Sequence, residues 1–132
     1  MTITTILFLI GRILYGGYFL INGINHFIKM EMMKGYAASK GVPIAGLAVA
    51  VSGLLIIFGG LGILFGFYTK WAITAIVIFL ICVSCKMHNF WKATDSNIKM
   101  ADMIHFMKNI ALIGAALMML AIPIPWLFSL AF

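Results

Sequence analysis

Four long apolar stretches, at about residues 3–26, 44–67, 72–87 and 103–122, alternate with short polar segments along the chain. Each is near the length of about 20 residues that a helix needs to cross the hydrocarbon core of a bilayer. The segment 27–42 mixes lysines with Met, Phe and Tyr, a composition suited to a short piece lying along the headgroups. Gly41-Val42-Pro43 ends it, and Pro43 fits the first turn of the second span. Tyr68-Thr69-Lys70-Trp71 reads as a tight turn whose aromatic rings and lysine sit at the interface. In the hydrophilic stretch 92–102, Thr94 or Asp95 is placed to cap a short helix holding Ile98 and Met103, ahead of the fourth span. Pro123 and Pro125 stop that span, and Trp126 and Phe128 read as an interfacial tail. The pattern predicts an all-α fold: an integral membrane four-helix bundle, one domain over residues 1–132, with a short interfacial segment between helices 1 and 2.

Helical periodicity gives the spans their orientation. Arg12, Tyr15, Gly16, Phe19, Asn22, Gly23 and His26 recur at steps of three and four, so they share one face of the first span, which must look into the bundle. Leu7, Ile10, Ile13, Leu14 and Ile21 form the opposite face, suited to lipid. The second span is rich in glycine; Gly62 and Gly66 have the spacing for close helix approach, but with so many glycines such a pair is common by chance, and the span reads as a packing helix only. The third is β-branched (AITAIVIFLICVSC), yet its setting favours a spanning helix. The fourth carries His105, Lys108 and Asn109 on one face.

Composition agrees with this division. Of 132 residues, 64% are hydrophobic and 9% charged, against roughly a quarter charged in soluble domains. The net charge of +6 comes from lysines at the ends of apolar runs, a match for anionic headgroups, with no Arg/Lys stripe of a nucleic-acid surface. Lys29, Lys34, Lys40, Lys86, Lys92, Lys99 and Lys108 belong to connections on one side and Lys70 to the other. The positive-inside rule then makes this a multi-pass cell-membrane protein with both termini outside the cytoplasm. The amino terminus lacks the basic region of a cleaved signal and is read as the first span.

That topology brings His26, His88 and His105, with Asn22, Asn89 and Asn109, to one membrane depth, and Trp91 follows His88 by three residues. Half-buried histidines satisfying carbonyls are the commonest explanation. The next is a polar ligand pocket of Asn22, His26, His88, Trp91, His105 and Asn109, in which imidazoles hydrogen-bond and exchange protons with a quinone head group. A metal held by His26, His88 and His105 is the least favoured. Arg12 lies about 21 Å along the helix from His26, at 1.5 Å per residue, outside that shell. An intramembrane arginine is itself a candidate for ligand binding, with hydroxyls and carbonyls (Ser52 or Tyr15 among the hydroxyls) or a bound anionic group as partner. Cys82 and Cys85 form a CxxC near the C-terminal end of an apolar helix, where the dipole gives a thiolate no help, so buried structural thiols outweigh a redox pair. The acids Glu31, Asp95 and Asp102 all fall in predicted connections, and no catalytic constellation is visible.

GRILYGGYFLINGINHF, GLLIIFGGLGILFGFYTKWA, MHNFW and HFMKNIALIGAALM, taken in order, resemble the DoxX family of small four-helix membrane proteins. Arg12, Gly23, His26, Gly59, Gly60, Gly66, Lys70, His88, Phe90, Trp91, Phe106, Lys108, Asn109 and Gly114 carry the resemblance. It implies a four-helix bundle linked to membrane redox systems, including quinol oxidases and thiosulfate:quinone oxidoreductases. The expected role is an accessory or ligand-binding subunit, more so than a stand-alone enzyme, with a quinone-like or lipid molecule as the ligand. Membrane lipid, other redox subunits and a homo-oligomeric copy are the expected partners. The alternatives are a dithiol–quinone oxidoreductase using Cys82 and Cys85, and a scaffold without ligand.

Overall fold

In lipid a peptide group must find its partner within the chain, which an α-helix achieves locally. The computed structural model, which describes residues 1–130, accordingly consists of helices: α1 Ile3–Ile28, α2 Met30–Ser39, α3 Ala45–Phe65, α4 Thr69–Met87 and α5 Ser96–Met119, with one 3-10 turn at Phe90–Lys92. α1, α3, α4 and α5 are long and apolar enough to span a membrane, which makes this an all-α four-helix membrane bundle. α1 packs on α3, α3 on α4 and α4 on α5, while α2 lies against the N-terminal part of α3. Phe19, Ile56, Ile63, Ile73, Ile76 and Leu80 fill the centre. Leu7, Ile10, Ile13, Leu14 and Ile21 are exposed, as their periodicity requires.

Several boundaries differ from the sequence reading. Pro43 does not open α3: Gly41 and Ile44 both adopt left-handed backbone, at φ 80° and 47°, so the helix begins one residue later, at Ala45. The turn after α3 is shorter than expected. Gly66 is left-handed at φ 71°, the Gly66 and Phe67 N–H groups both return to the Gly62 carbonyl, and α4 already starts at Thr69. Asp95 is the cap foreseen near residue 95, its carboxylate accepting from the N–H groups of Asn97 and Ile98 at 2.8 and 3.1 Å. The helix it starts runs without a break into the fourth span, because no Gly or Pro intervenes, and ends at Met119 before Pro123. The tail is not wholly interfacial. Trp126 is 3% exposed and meets Phe8 edge-on at 5.5 Å, whereas Phe128 lies on the surface.

Close packing of α1 on α3 rests on backbone. Helices in lipid gain no hydrophobic drive from association, so van der Waals contact between small residues carries the interface. A Cβ at Gly60 would stand 2.7 Å from both the Gly16 carbonyl and the Leu20 nitrogen. One at Gly16 would lie 2.8 Å from the Gly60 carbonyl, and one at Gly23 would lie 2.9 Å from that of Gly53. Gly16 and Gly23 are seven residues apart, as are Gly53 and Gly60, which sets an antiparallel register of two glycine contacts. Gly62 and Gly66 share the four-residue spacing but serve different neighbours. Gly62 abuts Ala72 of α4, and Gly66 is the α3 cap beneath Ser129 and Arg12.

Gly60→Ala is expected to destabilise the bundle by about 1–3 kcal/mol through this overpacking. Gly11→Ala, whose Cβ would meet nothing within 4 Å, should be neutral or stabilising. Thermal unfolding of the two variants in detergent makes the comparison.

Candidate functional site

At the lysine-bearing end the chain buries an acid. Asp102 was placed in a connection by sequence, but it lies in α5 and is 3% exposed. Its Oδ2 accepts from Lys40 Nζ at 2.9 Å, and its Oδ1 stands 3.5 Å from His88 Nδ1. Lys40 closes α2 and His88 closes α4, so one carboxylate ties three helices together. The His88 ring stacks on that of exposed His105, centroids 4.9 Å apart. Asp102 could have been found from spacing. It lies seven residues before Asn109, and Asn109 seven before Ala116, and these three are the buried residues of α5.

Beside this junction is a cavity of about 110 Å³ bounded by three helices. α1 supplies Tyr18, Phe19 and Asn22, α4 and its cap supply Phe79, Leu80, Val83 and His88, and α5 supplies Lys108 and Asn109. α1 and α5 meet here through long side chains. Lys108 Nζ donates to the Tyr18 hydroxyl at 3.0 Å and stands over its ring, and the Tyr15 hydroxyl donates to the Leu112 carbonyl at 2.7 Å. The Asn22 amide N–H donates to the Tyr18 carbonyl at 2.8 Å, which leaves its oxygen as an acceptor. Asn109 is 4% exposed, and its amide takes no partner among the described residues.

Of the seven residues singled out as ligand-binding, Asn22, His88 and Asn109 therefore line one cavity, with His105 stacked behind His88. His26 is elsewhere. Its Nδ1 lies 3.0 Å from the Val49 carbonyl and 3.1 Å from the Ser52 hydroxyl, so it fastens α1 to α3. Trp91 is exposed and packs edge-on against Phe90 and Phe106. Among the described residues no three His, Cys, Asp or Glu side chains converge as a metal-binding set. Cys82 and Cys85 are free and exposed on α4, contrary to the expectation of buried thiols, and neither lines the cavity.

Arg12, the seventh, is at the opposite end, 3% exposed, and of the partners expected for it carbonyls serve, and the hydroxyls of Tyr15 and Ser52 do not. Its Nε donates to the Ile63 carbonyl and one terminal nitrogen to that of Leu64, both at 3.1 Å. These are carbonyls of the last turn of α3, which have no partner in their own helix. The guanidinium also donates to the carbonyls of Leu127 and Phe128 in the tail. Phe8 and Trp126 flank it, each ring centroid 5.6 Å from the guanidinium carbon. The partial negative charge of a helix C-terminus favours a cation there, so a buried charge is held without an acid.

A polar cleft enclosed by spanning helices, with a buried charge at either end, defines a small integral membrane protein of the helical-bundle class. A family model described as DoxX matches residues 7–89, well over half of the chain, and the chain belongs to that family. It is also similar to the "Inner membrane protein YphA" of Escherichia coli (strain K12), 29% identical over 125 residues that cover 95% of this chain and 88% of that protein. No solved structure matches it significantly.

Replacing Arg12 by Met should cost about 1.5–3 kcal/mol, the scale of hydrogen bonds to a charged group, and free the tail. Faster proteolytic trimming after residue 122 is the measurement, and Arg12→Lys should not restore protection because an ammonium lacks the planar fork. Asp102→Leu leaves Lys40 unpaired and should destabilise the protein by about 1–3 kcal/mol. Adding Lys40→Met should recover part of that loss in a double-mutant cycle.

Proposed function

We propose that this protein is an accessory, ligand-binding subunit of a quinone-linked redox system, holding the head group of a quinone-like lipid in the cleft between α1, α4 and α5. The observation that supports it best is the Asn109 amide, which has no hydrogen-bond partner among the described residues and opens on the cleft beside Lys108 and His88. An open amide at the cleft wall has donors and an acceptor free for a ligand oxygen or hydroxyl. A cavity of about 110 Å³ is well below the several hundred Å³ of a drug-sized site. It suits a single ring, with any isoprenoid tail left in the bilayer beyond the α1–α5 seam.

The residues divide the work. Lys108 and the Asn109 amide donate to ring oxygens, and Phe19, Phe79 and Leu80 supply the apolar walls. Asp102 faces His88 Nδ1 and favours a proton there, so Nε2 keeps its lone pair and accepts from a ring hydroxyl. When the imidazole is protonated, Nε2 donates to a ring carbonyl instead. The lysine distribution orients the cleft toward the cytoplasmic half of the membrane, with both termini outside. A redox partner subunit, or a second copy of this chain, would meet the exposed apolar flanks.

Binding of a quinone analogue to the purified protein tests the reading. His88→Ala and Asn109→Leu should each weaken it about 3- to 10-fold, the worth of one hydrogen bond, while Cys82→Ser leaves it unchanged. Unaltered affinity in both cleft variants would remove the proposal.

A further inference from the structure

A second cavity, of about 170 Å³, lies at the other end of the bundle, between the start of α4 and the segment that follows α5. Thr69, Lys70 and Ile73 form one wall, and Met119 through Ile124, with Trp126, the other. Trp126 is almost wholly buried, and its indole N–H finds no acceptor among the described residues. Leaving such a donor unmet costs about 1–3 kcal/mol. The first turn of α4 adds N–H groups that no side chain caps, together with the positive end of its dipole. Lys70 forms no ion pair among the described residues, and it is the one lysine at this end. The three acids of the chain lie toward the lysine-rich end, in α2, at the α5 cap and in α5.

Donors and a cation thus flank a hollow that no Asp or Glu side chain of the described residues approaches. We infer that this cavity binds the phosphate of an anionic phospholipid headgroup. Phosphate oxygens accept from the α4 N-terminus, a small turn of the Trp126 ring brings its enclosed indole N–H to them, and Lys70 neutralises the charge. The carbonyls of the turn at Leu120–Ile122 remain for hydroxyls of a glycerol-type headgroup. Their own N–H groups are already spent on Leu117, Met118 and Met119. The site is at the opposite end of the bundle from the α1–α4–α5 cleft and stands without it.

The test uses the full chain carrying Trp71→Phe and Trp91→Phe, which leaves Trp126 as its single tryptophan. Reconstituted in phosphatidylcholine, it is titrated with bromine-labelled phosphatidylglycerol or with bromine-labelled phosphatidylcholine as the control. The anionic lipid should quench Trp126 at lower mole fraction. Lys70→Gln should reduce that preference about fivefold, equivalent to roughly 1 kcal/mol for one lysine at a membrane surface. Lys92→Gln, at the far end, should leave it intact. Equal quenching by both lipids would overturn the inference, as would an equal loss in the Lys92 variant, which would make the effect one of bulk charge. Relief of quenching by inorganic phosphate would show that free phosphate, and not the lipid, is the ligand.

Discussion

A polar group inside a bilayer has to find its partner in the protein, and Arg12 shows how much structure can follow from one such demand. Its guanidinium takes the last carbonyls of α3 and two carbonyls of the tail. The Leu130 N–H takes the Phe65 carbonyl at 3.0 Å, and the Gly66 and Phe67 N–H groups take that of Gly62. The end of α3 is therefore satisfied by an arginine, a cap glycine and the returning tail together. The path of residues 126–130 is set by where those acceptors and that cation lie. Trp126 is buried as a consequence, since the ring beside the guanidinium is also the plug over Phe8 and Ile73.

Contact between α1 and α3 has a complementary effect on the other side of α1. Glycine on both helices brings those two backbones together, while the α1–α5 seam carries Tyr15, Tyr18 and Lys108. Large side chains hold that seam apart, and α4 becomes the floor of the gap. The cleft thus arises from unequal side-chain size around the bundle. Charge then differentiates its mouth, because Asp102 draws Lys40 and His88 inward and leaves Lys108, among the described residues, with the hydroxyl and ring of Tyr18.

Much of this was legible in the chain. Steps of three and four from Arg12 to Gly23 identified the inner face of α1, and Arg12, Gly16, Phe19 and Gly23 are its buried residues. Asn22, His88 and Asn109 were placed at one depth, and they do line one cavity. His26 shared that depth but not that side. It sits over Gly53, which admits the imidazole against α3 and away from the cleft. Asp102 was missed because the hydrophilic stretch before it looks like loop. A helix capped at Asp95 carries it inward at a point where hydropathy alone places it outside. The second span was read as a packing helix, which it is, but the partner of each glycine was not legible: spacing within one helix says nothing about which neighbour each residue faces.

The sequence by itself determined that the chain is a helical membrane bundle, which faces look inward and which connections are charged. These follow from local quantities: hydropathy over about 20 residues, helical period, and the charge of each segment. Tertiary structure alone decided which inward residues meet. It paired Lys40 with Asp102 across 62 residues and Arg12 with the Leu127 carbonyl across 115. Such pairings depend on the rotation of each helix about its axis and on how closely the backbones approach. Both are settled by the packing of several helices at once, and no single stretch of sequence contains them.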